Sequence, residues 1–470
     1  MLFNTFEYLF FFLATLTVFW CITKRSTKIV FLLLASYYFY FSNNHWLLLL
    51  IIASTQVDYL VAIKIEESLS ERKRKALLFC SVFVNIGMLI YFKYTNFLGE
   101  TFVKIAEVFG YKMSWTTLNI ILPIGISFYT FQSLSYIIDV YRKEIKAERK
   151  WHHLAFCVGF FPHLIAGPIV RVKDFLPQVK VMPKLTTEDF EYSLFRIHRG
   201  LLKKIILADT IGTYIDPIYN APHLYGTAQI WAAIFGFGLQ IYFDFSGYTD
   251  IALGCSRLLG FKLLENFKNP YSATSFAEFW HRWHISLSSW IRDYLYIPLG
   301  GSKTKTRFGT YRNLIITMTI AGIWHGASFN FALWGFLFGL TLAIERYFTK
   351  KDQHLTKYST LSKPLKWLIV FISVNLLWIL FRAPNFIIVQ EILSKLFVSS
   401  ASLSLFWGDV FIFILVASNL TMQFLDEKIN FEKTTIASPI LYKILTYTAL
   451  WVLVLIFNSG ATKSFIYFQF

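Results

Sequence analysis

Residues 314–339, LIITMTIAGIWHGASFNFALWGFLFG, hold two apolar runs that meet at Trp324-His325-Gly326. His325 is the only ionisable residue between Arg312 and Glu345. Inside lipid every backbone polar group must be satisfied within its own segment, so such runs are read as membrane-embedded helices. An imidazole there is costly to bury and reads first as a functional group, able to take and return a proton near neutral pH. The alternative is a core histidine bonded to a neighbouring helix.

The rest of the chain sorts the same way. Charged residues make up 16% of its 470 positions, against about 25% in a soluble protein. Fifty Phe, 26 Tyr and 14 Trp suit a helical bundle with aromatic belts at both interfaces. The predicted fold class is all-α, a polytopic transmembrane bundle. The net charge of +17 comes from basic residues in short loops between apolar runs, so it reads as a topology signal and not as a nucleic-acid surface. Cys21, Cys80, Cys157 and Cys255 form no CxxC pair and read as small buried hydrophobes. The N-terminus lacks a basic n-region and a small-residue cleavage site, which predicts a retained first helix.

Spans are expected over 3–22, 29–42, 46–64, 77–95, 118–140, 226–245, 313–325, 329–347, 368–383, 405–424 and 444–458, about eleven in all. Lys24, Arg25 and Lys28 after the first span should be cytoplasmic, as should the loops 65–76 and 141–150 and Lys428, Lys433 and Lys443, which places both chain ends outside. Residues 154–170 are broken by Pro162, Gly167 and Pro168 and read as re-entrant. Residues 171–205 are amphipathic and interfacial. The interval 246–312 is too polar to span. No internal repeat or soluble domain interrupts the chain, which reads as one integral-membrane domain over residues 1–470.

That polar interval contains His281-Arg282-Trp283-His284. On a helix the two histidines would share one side, yet HRWH matches no metalloprotease spacing and no metal is expected. Either one imidazole works with His325, with Arg282, Arg292 and Asp293 as a charged cluster, or the stretch is an interfacial helix anchored by Trp280, Trp283 and Trp290. Gln132, Ser133, Ser135 and Asp139, and likewise Asp244, Ser246 and Asp250, read as polar clasps between helices. Gly335 and Gly339 read as close helix packing.

Four ordered stretches carry a resemblance: FFPHLIAGPIVRVKDFLPQ (160–178), QIYFDFSGYTDIALG (240–254), FWHRWHISLSSWIRDYLYIPLGG (279–301) and IWHGASFNFALWG (323–335). Together they resemble the membrane-bound O-acyltransferase family, most of all its bacterial alginate O-acetylation branch, over about residues 120–340. The resemblance implies that His325 is the essential catalytic residue, and that the family's second polar position, often His or Asn, falls on His284. It also implies a bundle crossed by a central tunnel, with acetyl-CoA entering from the cytoplasm. The C-terminal SFIYFQF is similar to the tyrosine motif of small partner peptides in teichoic-acid D-alanylation. That similarity makes Tyr467 a possible acyl carrier; the other reading is an interfacial aromatic anchor.

The resulting expectation is an acetyltransferase of a bacterial inner membrane, supplying acetyl to an extracytoplasmic polysaccharide such as an alginate-like polymer or peptidoglycan. A separate periplasmic O-acetyltransferase is the expected partner. The rival class is a transporter or flippase that uses the same polar groups for passage without chemistry.

Overall fold

The computed structural model describes residues 1–165, 167–304, 306–352, 362–397, 405–457 and 465–466. Among these, all regular structure is helical. Five helices are long and apolar enough to cross a membrane: His45–Glu67, Glu71–Val108, Phe329–Thr349, Lys363–Arg382 and Trp407–Ile429. Phe6–Cys21 and Ile440–Ile456 are apolar but shorter. The chain divides into two compact units, Met1–Ser193 with Ala252–Leu264, and Leu194–Ile251 with Glu265–Phe470.

In the first unit, helices Leu48–Glu67 and Glu71–Val108 are clasped by a buried polar group. The hydroxyl of Ser81 donates to Asp58 Oδ1 over 2.5 Å, and the amide of Asn85 donates to the same oxygen over 3.0 Å. The span expected over 118–140 starts late. Pro123 and a left-handed Gly125 (φ 78°) precede helix Ile126–Tyr141, whose 16 residues are nearly all buried. At 1.5 Å per residue that helix is about 24 Å long, short of a bilayer core. Gln132, Ser133, Ser135 and Asp139 all lie on its buried surface. Residues 151–164 form two short helices, Trp151–Gly159 and Phe161–Leu164, buried throughout from His153 onward.

The second unit is built around a tight hairpin of helices Arg307–His325 and Phe329–Asp352. Its glycines explain the closeness. A Cβ on Gly339 would stand 2.6 Å from Ile315 Cα, and one on Gly335 would meet the Met318 carbonyl, so the GxxxG spacing is a backbone-to-backbone seam.

Helix Thr227–Leu258 runs 13 residues past the expected end at 245. Its acidic residues do not stop it because they are paired. Asp250 Oδ1 accepts from Arg196 (2.8 Å) and Arg199 (2.6 Å), and Oδ2 accepts from Arg199 Nε and Lys203, each at 2.8 Å. Asp244 forms an ion pair of 2.7 Å with Lys204, which also reaches Asp209 at 2.8 Å. The basic residues come from helix Thr187–Leu201 and the π-helical turn Leu202–Ala208 that continues it. Gly200 and Gly247 let the two backbones touch where they cross, since a Cβ on Gly200 would lie 2.6 Å from the Gly247 carbonyl oxygen.

Candidate active site

His325 is the last residue of its helix, and the extended Gly326 turns the chain into the next one. A Cβ on Gly326 would collide with the Phe331 ring, so the WHG turn needs glycine for space. The imidazole is 6% exposed and faces protein. Its ring stands edge-on to Trp334 (5.3 Å between centroids) and Phe381 (5.2 Å), with Trp324 at 4.9 Å. The surrounding rings hold the imidazole in one orientation and keep bulk water away, which suits a proton-transfer group.

His281 and His284 do not share a helix face. Helix Phe276–Arg282 ends before Trp283, and His284 itself is left-handed at φ 42°. The 1% exposed His284 therefore points into the core, while His281 is exposed and bonded to the Ala277 carbonyl. A left-handed non-glycine costs about 1–3 kcal/mol and persists where the surroundings demand it. Both ring nitrogens of His284 are buried without a hydrogen-bond partner among the described residues. Burial pushes its pKa down to about 3, so it is a neutral imidazole at working pH. His284 is thus an oriented, uncharged group with a donor and an acceptor to offer.

The helix C-terminus at His325 and the kink at His284 are joined by one wall of rings. Trp334 packs on Trp378 at 5.6 Å, Trp378 on Trp283 at 5.1 Å, and Trp283 on Phe267 at 5.1 Å. Phe267 meets Phe245 at 5.2 Å, and Phe245 stands perpendicular to the His284 ring at 4.6 Å. Phe465 of the C-terminal segment lies on the same wall. Phe465 is fully buried, against Phe245 (5.5 Å) and Tyr248 (4.6 Å). Tyr467 itself lies outside the described residues.

Of the charged cluster expected from Arg282, Arg292 and Asp293, the described contacts show one pair, with Arg282 turned elsewhere. Arg292 pairs with its neighbour Asp293 at 2.7 Å, whereas Arg282 turns to Glu278 at 2.6 Å and to Glu427. The reading of Asp250 as a clasp between helices holds, but its partners were missed, although Arg196, Arg199 and Lys203 recur at one-turn spacing and mark a single basic face.

Residues 146–383 match the model of the membrane-bound O-acyltransferase family. The chain belongs to that family. The matched region contains both His284 and His325. The "probable alginate O-acetylase AlgI" of Pseudomonas aeruginosa is 42% identical over 332 residues, 70% of this chain and 62% of that protein. The Pseudomonas putida protein of the same name is 40% identical over 72% of this chain and 68% of its own length. The "peptidoglycan O-acetyltransferase" of Helicobacter pylori is 36% identical over 70% of this chain and 66% of its own. The alignments thus span about two thirds of these relatives.

The left-handed backbone at 284 gives a direct test of the local geometry. Asparagine tolerates this conformation and alanine does not, so His284→Asn should melt above His284→Ala by a margin worth about 1 kcal/mol. Thermal melting of the two purified variants in one detergent checks this; equal melting would mean the kink is unstrained.

Proposed function

We propose that this protein is an acetyltransferase of a bacterial cytoplasmic membrane that takes acetyl from cytoplasmic acetyl-CoA and delivers it for O-acetylation of an extracytoplasmic polysaccharide. The observation that carries the reading is the single aromatic wall holding the buried imidazoles of His325 and His284 and the buried Phe465 of the C-terminal segment. The relatives' names, which speak of alginate and of peptidoglycan, support a polysaccharide acceptor.

In this reading His325 is the general base. It accepts the proton of an attacking hydroxyl as that oxygen bonds to the thioester carbonyl carbon. The carbon–sulfur bond then breaks, and the imidazolium returns the proton to the CoA sulfur, leaving an oxygen ester and free thiol. Neutral His284 orients the reacting oxygen or its carbonyl partner by hydrogen bonding. Tyr467 supplies the attacking hydroxyl and acts as transient carrier. A passage lined by this wall excludes water, so the thioester meets the hydroxyl first. A separate periplasmic O-acetyltransferase completes delivery to the sugar. Both chain ends lie outside a bundle of about eleven spans.

Purified protein given acetyl-CoA labelled on its acetyl group should release CoA and carry label on the C-terminal peptide, and Tyr467→Phe should abolish that label. Neither CoA release nor label, with a soluble acceptor present, would refute the acyltransfer reading. CoA release with an unlabelled C-terminus would remove only the carrier role.

A further inference from the structure

The C-terminal segment is bonded to the core as well as packed against it. The backbone N–H of Ile466 donates to Asp244 Oδ2 over 2.7 Å, and both groups are buried. The other carboxylate oxygen, Oδ1, faces Lys204 at 2.7 Å. Lys204 is 1% exposed and lies between two carboxylates, Asp209 at 2.8 Å and Asp244. A buried carboxylate oxygen in that setting needs a donor. The amide of Ile466 supplies it, and the rings of Phe245, the next residue, and Tyr248, one helical turn on, hold Phe465 beside it.

We infer that Asp244, fixed by Lys204, is a positioning residue: a backbone anchor that pins the C-terminal segment at Ile466 and thereby sets the reach of the residues that follow. The anchor recognises a main-chain amide, so it dictates where the segment is held and not which side chain it carries. A charge-assisted hydrogen bond of this kind is about twice as strong as a neutral one. The anchoring stands on the geometry alone. Its consequence for transfer rests on Tyr467 being the carrier.

The test approaches the bond from both ends. Full-length protein in detergent is treated with chymotrypsin, and cleavage after Tyr467 is followed by mass spectrometry. Wild type should resist that cleavage. Asp244→Leu, which removes the acceptor, and Ile466→Pro, which removes the N–H without touching the acid and still leaves a cleavable bond after Tyr467, should each be cut about tenfold faster or more. Asp244→Asn and Ile466→Val, which keep acceptor and donor, should stay protected. Ile466→Pro leaves the Lys204 ion pairs untouched, so it decides the matter if Asp244→Leu does not fold. The double variant should be no more susceptible than either single one.

Wild-type protection in Ile466→Pro would overturn the anchor, as would release in Asp244→Asn equal to that in Asp244→Leu, which marks a purely structural charge. In the released variants kcat for acetyl transfer should fall with KM for acetyl-CoA unchanged. Release of the segment with undiminished transfer would leave the anchor standing and remove Tyr467 from the reaction.

Discussion

His325→Gln should lower acetyl transfer by about 10²–10⁴-fold, the range that one general base contributes. Glutamine is close in size to histidine and fills the space between Trp334, Phe381 and Trp324, so the packing around position 325 stays occupied. What it lacks is a nitrogen that accepts a proton and gives it back. The melting temperature should therefore stay within the few degrees that about 1 kcal/mol produces. CoA release from acetyl-CoA, read beside a thermal melt of the same preparation, checks both halves. The result separates chemistry from passage. A flippase has no proton to move at this ring and would keep its substrate path in the glutamine variant. Transfer within twofold of wild type would end the case for His325 as base.

How much of this was written in the sequence depends on the range of the interaction. The helical class, the WHG turn between two apolar runs and the close seam at Gly335 and Gly339 are local, and periodicity with residue size reveals them. Interactions between distant segments are not local. Hydropathy stopped the 226–245 span at Asp244 and Asp250, because a scale that scores residues singly cannot know that Arg196, Arg199, Lys203 and Lys204 wait on another helix. The same limit hid the different fates of His281 and His284. Their spacing fits a helix, but a left-handed residue at 284 breaks it, and only glycine or asparagine announces such a turn in advance. The tail's path was equally illegible. Phe465 and Ile466 read as an aromatic stretch clear of the last helix, whereas both are buried against helix Thr227–Leu258, drawn in by an acid 222 residues away.

The clamp on Asp250 should have the largest effect on stability. Its side chain is 4% exposed, and it faces Arg196 at 7% and Lys203 at 14%, so water can do little for the cations once the carboxylate is gone. Glu265 and Glu432 also pair with Arg196, and Glu432 lies 3.8 Å from Arg199, which offsets part of that charge, but no other ion pair holds Lys203 among the described contacts. Removing one partner of a buried ion pair costs about 3–5 kcal/mol, because the remaining charge stays desolvated. Asp250→Ala should therefore melt far below wild type or fail to accumulate. The diagnostic is the double variant. Lys203→Met takes away the most isolated of the three cations and keeps the apolar stem, so Asp250→Ala with Lys203→Met should be more stable than Asp250→Ala alone. Melting temperatures of the two singles and the double, compared as a thermodynamic cycle, measure this. If the losses simply add, Asp250 supports the fold by some means other than holding positive charge, and the explanation given for the continuation of helix Thr227–Leu258 past residue 245 fails with it.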